Sequence, residues 1–221
     1  MKKKLLIAFA LLIGVVLVLA KLNVIQVNQS FKTQNERANK TFKDGDIIFQ
    51  TSQSQQCEAV RIATNSKFSH CGIIFIKDGK QYVYEAVQPV KMTLLEDWIE
   101  HGKEEKYVVK RLNNASTVLN KNTIEKMKTY GLAFNNKDYD IYFEWSNDKI
   151  YCSELVWKIY KEGANIELCP LQKLKEFNLS NPKVKAILQE RYGNSIPLEE
   201  DVVAPSQIVN SKQLVTIFDN Y

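Results

Sequence analysis

"HCGIIFIKDGKQYVYEAV", residues 70–87, carries the clearest local structure in the chain. Two β-rich runs flank Asp78-Gly79, a dipeptide suited to the two positive φ angles of a type I′ turn. With those residues at the tip, Lys77 faces Lys80, Gly72 faces Glu85 and His70 faces Val87. Side chains alternate across a strand, so His70, Gly72 and Ile74 share one face with Glu85 and Val87. His70 and Glu85 become diagonal neighbours, roughly 7–8 Å apart at the backbone and within reach of each other's side chains. Gly72 is expected to leave open space beside them, and Cys71 to turn to the opposite face as core. A one-residue slip would part the pair, so register decides whether an imidazole meets a carboxylate.

Outward from the hairpin, the flanking segments read as a mixed fold. "DGDIIFQ" (44–50) is a turn and a short apolar strand, and "SQSQQCEAVRIATNS" (52–66) is a helix with Ser52 or Ser54 as N-cap. "LEDWIEHG" (95–102) predicts a short helix and "KYVVKRL" (106–112) a strand. A helix over about 122–134 places Ile124, Met127, Gly131 and Phe134 on one face. "NKDYDIYFEW" (136–145) is an aromatic-rich loop that leads to a helix starting at Cys152. That helix turns Leu155, Val156, Ile159 and Tyr160 inward and is expected to stop at Gly163 as a C′ glycine. "SNPKVKAILQERYG" (180–193) is a further helix with Pro182 in its first turn, and "KQLVTIF" (212–218) a last strand. The order predicts an α+β domain, an antiparallel sheet packed against helices.

The hairpin pair acquires chemical meaning if a nucleophile faces it. Cys152 heads its helix, where backbone N–H groups favour thiolate over thiol. A thiolate attacks a carbonyl carbon, His70 holds and delivers the proton, and Glu85 fixes the imidazole and stabilises its charged form. Each residue also has a plainer reading. A buried cysteine packs as a small hydrophobe, a histidine opening a strand is commonly structural, and a strand glutamate usually faces water. Ser153 and Glu154 are expected to brace the helix, Cys57 and Cys169 to be structural, and His101 to be solvated. The conjunction of Cys152, His70 and Glu85 carries more weight than its parts.

Composition narrows the function. The 221 residues are 45% apolar and 25% charged, an ordinary globular balance. Net charge is +5, but Lys2, Lys3 and Lys4 sit in an N-terminal leader, and without them 27 basic residues meet 25 acidic ones. The basic residues are scattered and only eight glycines are present, so nucleic-acid binding has little support. There is no CxxC or HExxH, and the two histidines, His70 and His101, give no metal spacing; no cofactor is expected. The four cysteines show no short-spaced disulfide framework.

"MKKKLLIAFALLIGVVLVLAK" (1–21) reads as a signal peptide or signal anchor, with the uncharged run Leu5–Ala20 behind a cationic start. Residues 22–41 read as a polar spacer, and 42–221 as the domain. The domain is therefore expected outside the cytoplasm, in the cell envelope, tethered to the membrane or released.

"GDIIFQ", "SHCGIIF", "YVYEAV" and "YCSELVWKIY", in this order, resemble the YiiX-like family of permuted papain-like proteins, over roughly residues 42–218. The family lies near the NlpC-type cell-wall peptidases and the lecithin:retinol acyltransferase-like enzymes. The resemblance implies a circularly permuted papain-like fold, with Cys152 as nucleophile, His70 as base and Glu85 as orienting acid. It implies a thiol hydrolase acting on amide bonds, with a cell-wall peptide as the natural substrate of an exported member. Acyl transfer or lipid and ester deacylation by the same triad is the alternative, and a binding protein with a silent triad the third reading.

Overall fold

Asp78 and Gly79 take φ angles of 51° and 73°, the type I′ pattern. They join β2 (His70–Lys77) to β3 (Lys80–Glu85), with Lys77 opposite Lys80 and Ile73 opposite Tyr84. This is the register that the turn residues demand. The structure, a computed structural model, describes residues 42–221 and, ahead of them, Leu19, Lys21, Leu22 and Val24. The expected leader (1–21) and spacer (22–41) thus lie outside the described residues apart from those four. Among the described residues no helix is long and apolar enough to cross a membrane.

Residues 42–221 form one unit around a six-stranded antiparallel sheet. β1 (Asp46–Gln50) lies between β2 and β5 (Tyr107–Leu112), and β4 (Lys91–Leu94) and β8 (Leu214–Asp219) form the edges, giving the order β4-β3-β2-β1-β5-β8. α1 (Gln55–Thr64) starts at Ser54, whose hydroxyl accepts from Cys57 N–H at 3.1 Å. α2 (Leu95–Glu100) follows β4 directly, α3 (Ala115–Val118) is one turn, and α4 (Lys121–Leu132) buries Ile124, Met127 and Gly131. α5 (Cys152–Lys158) runs into a π-helical turn, Ile159–Gly163. β6 (Gln172–Lys173) and β7 (Asp201–Val202) pair separately, around α6 (Pro182–Tyr192), and α7 (Pro205–Val209) precedes β8. β4, the β6–β7 pair and α7 are too short to leave a periodic pattern in the sequence.

Alternation gives the sheet two apolar faces. Ile47, Phe49, Cys71, Ile73 and Tyr84 pack with Met127 of α4 and Leu155 and Val156 of α5. Ile48, Ile74, Val83 and Val109 pack beneath Trp98 and Ile99 of α2. His70 and Glu85 belong by register to the second face, and Cys71 to the first.

Gly163 does not act as the expected left-handed cap; the positive φ there belongs to Asn165, at 57°. A Cβ on Gly163 would stand 2.6 Å from Met127 Cα and 3.0 Å from Met127 N, so the glycine permits the close approach of α4. Gly163→Ala must push two helices apart and is expected to lower stability by about 1–3 kcal/mol. A thermal melt with an unchanged midpoint would contradict this packing.

Candidate active site

Glu85, the last residue of β3, is buried and accepts three side-chain hydrogen bonds. His70 Nε2 lies 2.6 Å from Oε2, Trp98 Nε1 donates to Oε2 at 2.8 Å and Thr93 Oγ1 donates to Oε1 at 2.5 Å. Burial alone would raise the Glu85 pKa, but the His70 hydrogen bond and charge, with Thr93 and Trp98, outweigh it and hold the carboxyl below its ordinary range. The imidazole also stacks on the Trp98 indole, with centroids 5.8 Å apart and planes 25° apart. Thr93 and Trp98 come from β4 and α2, so three elements fix one ring. Gly72 does not leave open space here: a Cβ would meet Val83 Cγ1 at 2.4 Å and Tyr84 O at 2.8 Å. The missing side chain instead lets β3 lie close to β2.

Cys152 is the first residue of α5 and is 3% exposed. Ahead of it, Tyr151 N–H donates to Glu154 Oε2 at 3.4 Å, and Ser153 Oγ donates to Val203 O at 2.8 Å. Both neighbours therefore brace the helix. Cys71 turns away from His70, as alternation requires, but the face it enters is the one covered by α5. Its thiol therefore meets Cys152 instead of serving only as core. The hydrogen bond from the Cys71 thiol acts first to hold Cys152 well below the ordinary thiol range; burial opposes it, and His70 and the Cys71 N–H add to it. Burial, and then donation to Cys152, push the Cys71 thiol well up.

For His70, burial would lower the pKa, yet the hydrogen bonds to Cys152 and Glu85 raise it to about 10. With Nε2 committed to Glu85, Nδ1 remains for the thiol side. Both shifts favour a thiolate beside an imidazolium over a neutral pair. The other expected outsiders stay outside. Cys57 and Cys169 are partly exposed free thiols, Cys169 pushed up to about 12 by burial, and His101 is exposed with Nδ1 at 2.5 Å from Asp97 O.

Cys152 lines a cavity between α1 and α6. Ala59, Ala63, Val184 and Leu188 make its walls apolar, and Arg191 is its one cationic lining residue among those described.

Residues 41–218 match the family model described as permuted papain-like amidase enzyme, YaeF/YiiX, C92 family. The chain belongs to that family. It is 46% identical over 173 residues to the uncharacterized protein YiiX of Escherichia coli (strain K12), covering 78% of this chain and 84% of that one. It also superposes on the crystal structure of metalloprotein yiiX from Escherichia coli O157:H7, with a TM-score of 0.77 and 45% identity, over 81% of this chain and 98% of that one. The fold is accordingly the permuted papain-like one, in which the cysteine helix follows the histidine strand in sequence. The word metalloprotein applies to that relative; among the described residues of this chain, no three His, Cys, Asp or Glu side chains converge to hold an ion.

Proposed function

We propose that this permuted papain-like protein is a thiol hydrolase of amide bonds, with Cys152 as nucleophile, His70 as general acid and base, and Glu85 as the orienting carboxylate. The observation that carries the reading is His70, hydrogen-bonded to the buried Glu85 carboxylate and in the field of the helix-terminal Cys152, which raises its pKa. The thiolate adds to the scissile carbonyl, and the Cys152 backbone N–H faces the oxygen that becomes negative. Collapse of the adduct breaks the C–N bond, and the imidazolium gives its proton to the departing amine. The neutral imidazole then takes a proton from water, whose oxygen attacks the thioester and releases acid and thiolate. Glu85 stays ionised throughout and keeps Nε2–H pointed at itself.

The leader sequence supports a site in the cell envelope, near or on a membrane, and cell-wall peptides as substrates. The apolar cavity beside Cys152 favours a second reading of the substrate, an acyl or lipid-like group transferred or hydrolysed through the same thioester. Incubating the purified protein with muropeptides, peptides and phospholipids, with mass spectrometry of the products, separates these. Cleaved amide bonds support the first reading and deacylated lipid the second. No product from any class, beside an unreactive Cys152, would return the protein to a binding role.

A further inference from the structure

Alternation along β2 turns Cys71 to the sheet face that α5 covers, and that is where Cys152 lies. Cys71 stands opposite Phe49 of β1 and shares one buried cluster with Cys152, Leu155 and Val156. Two groups of residue 71 converge on the Cys152 sulfur: its thiol donates to it, and so does its backbone N–H. Both cysteines are free thiols in this structure. Cys169 acts on Cys71 through its charge, without a thiol contact.

The two sulfurs differ in a way that suits them to sequential reaction. Cys152 is held toward thiolate and lines the cavity between α1 and α6, so a small oxidant can reach it. Cys71 is wholly buried and held as a thiol. Hydrolysis as proposed above uses one sulfur only, and a donor to the thiolate need not be a thiol: a serine hydroxyl would be the stronger one. What a second sulfur adds is the ability to bond to the first.

We propose that Cys71 and Cys152 form a redox pair, in which a hydroperoxide oxidises Cys152 and Cys71 then closes a reversible disulfide with it. In the first step the thiolate attacks the outer peroxide oxygen, the S–O bond forms and the O–O bond breaks. Cys152 becomes a sulfenic acid, and the departing oxygen takes the His70 proton and leaves as an alcohol or water. In the second step the Cys71 sulfur displaces the hydroxyl from Cys152, and the Cys71 proton leaves with it as water. The two sulfurs give up two electrons in all, which the peroxide accepts. Sulfenic acid is neutral, so the first step also removes the charge that helped to keep Cys71 protonated. A dithiol restores both thiols by exchange. That the disulfide silences hydrolysis reversibly rests on the thiol-hydrolase reading; the cross-link itself needs only the Cys152 thiolate.

The test treats the reduced full chain with hydrogen peroxide at neutral pH and maps its peptides by mass spectrometry before and after dithiothreitol. The expected product is a linked pair of peptides carrying Cys71 and Cys152, lighter than the free pair by two hydrogens. Dithiothreitol should then return Cys152 to iodoacetamide. Cys71→Ser keeps a donor beside the thiolate but has no second sulfur, so its Cys152 should pass on to sulfinic and sulfonic acids. These resist dithiothreitol, and the variant should recover at least about tenfold less alkylatable Cys152 than the wild type. Wild-type Cys152 that is overoxidised without a cross-link would overturn the proposal. So would a cross-link from Cys152 to Cys57, Cys169 or a second chain, or equal recovery in Cys71→Ser. Should Cys71→Ser lose its native circular dichroism, the wild-type peptide map alone still decides. A chain that forms the cross-link but cleaves no substrate keeps the redox pair and loses the hydrolase reading. A Cys152 that neither oxidises nor alkylates has no thiolate to offer, and both fall together.

Discussion

Cys152→Ala is expected to reduce turnover of an amide or thioester substrate by about 10⁴–10⁶-fold, to the level left by binding alone. The sulfur is the atom that bonds to the carbonyl carbon, and no other described thiol can replace it. Cys71 is buried on the adjacent strand with its pKa pushed up, and Cys169 is held at about 12. Cys152 is 3% exposed and small, so the alanine variant should keep its far-UV circular dichroism and lose little stability. Product analysis by mass spectrometry checks this; turnover within tenfold of wild type would remove Cys152 from the chemistry.

The second large effect is expected at His70. His70→Ala removes both the proton donor and the positive charge beside the sulfur, so amide turnover should fall by about 10³–10⁴-fold or more. Alkylation of Cys152 near pH 6 should fall by about 10²-fold, because a thiol returning toward the free value of about 8.5 is almost wholly protonated there. Glu85→Gln should cost less in both measurements. It keeps the shape between His70, Thr93 and Trp98 and loses mainly the charge that favours imidazolium. A Glu85→Gln effect larger than that of His70→Ala would mean that the carboxylate does more than orient the ring.

The pairing of His70 with Glu85 could be read from the sequence because a two-residue turn fixes register, and alternation then fixes faces. What alternation does not say is which helix covers which face. Cys71 turns from His70 as expected, yet that direction leads to α5 and Cys152, a contact set by packing across 81 residues of chain. Thr93 and Trp98 complete the Glu85 site from β4 and α2. β4 is a four-residue edge strand with no usable period, and nothing in "LEDWIE" shows that its indole points at a carboxylate. Gly163 illustrates the same limit. A glycine after a helical run reads as a cap, while the space it saves is defined by Met127 of another helix. Local signals were legible here, and contacts between distant elements were not.

Reactivity at Cys152 turns on one ion pair, and the pH dependence of its alkylation tests that pair most directly. Burial lowers the His70 pKa but its two hydrogen bonds raise it to about 10, while the Cys152 thiol is held well below its ordinary range. The thiolate is lost only as pH falls through that depressed value, and the imidazolium only as pH rises through about 10. Iodoacetamide rates followed cysteine by cysteine should therefore be nearly flat for Cys152 from about pH 6 to 8 and well above those of Cys57, Cys71 and Cys169. Over the same span Cys169 should gain about tenfold per pH unit, as a thiol titrating far above the measured range does. A Cys152 rate that climbs tenfold per pH unit, or equal rates at all four thiols, would contradict the ion pair and leave a buried cysteine at the head of a helix.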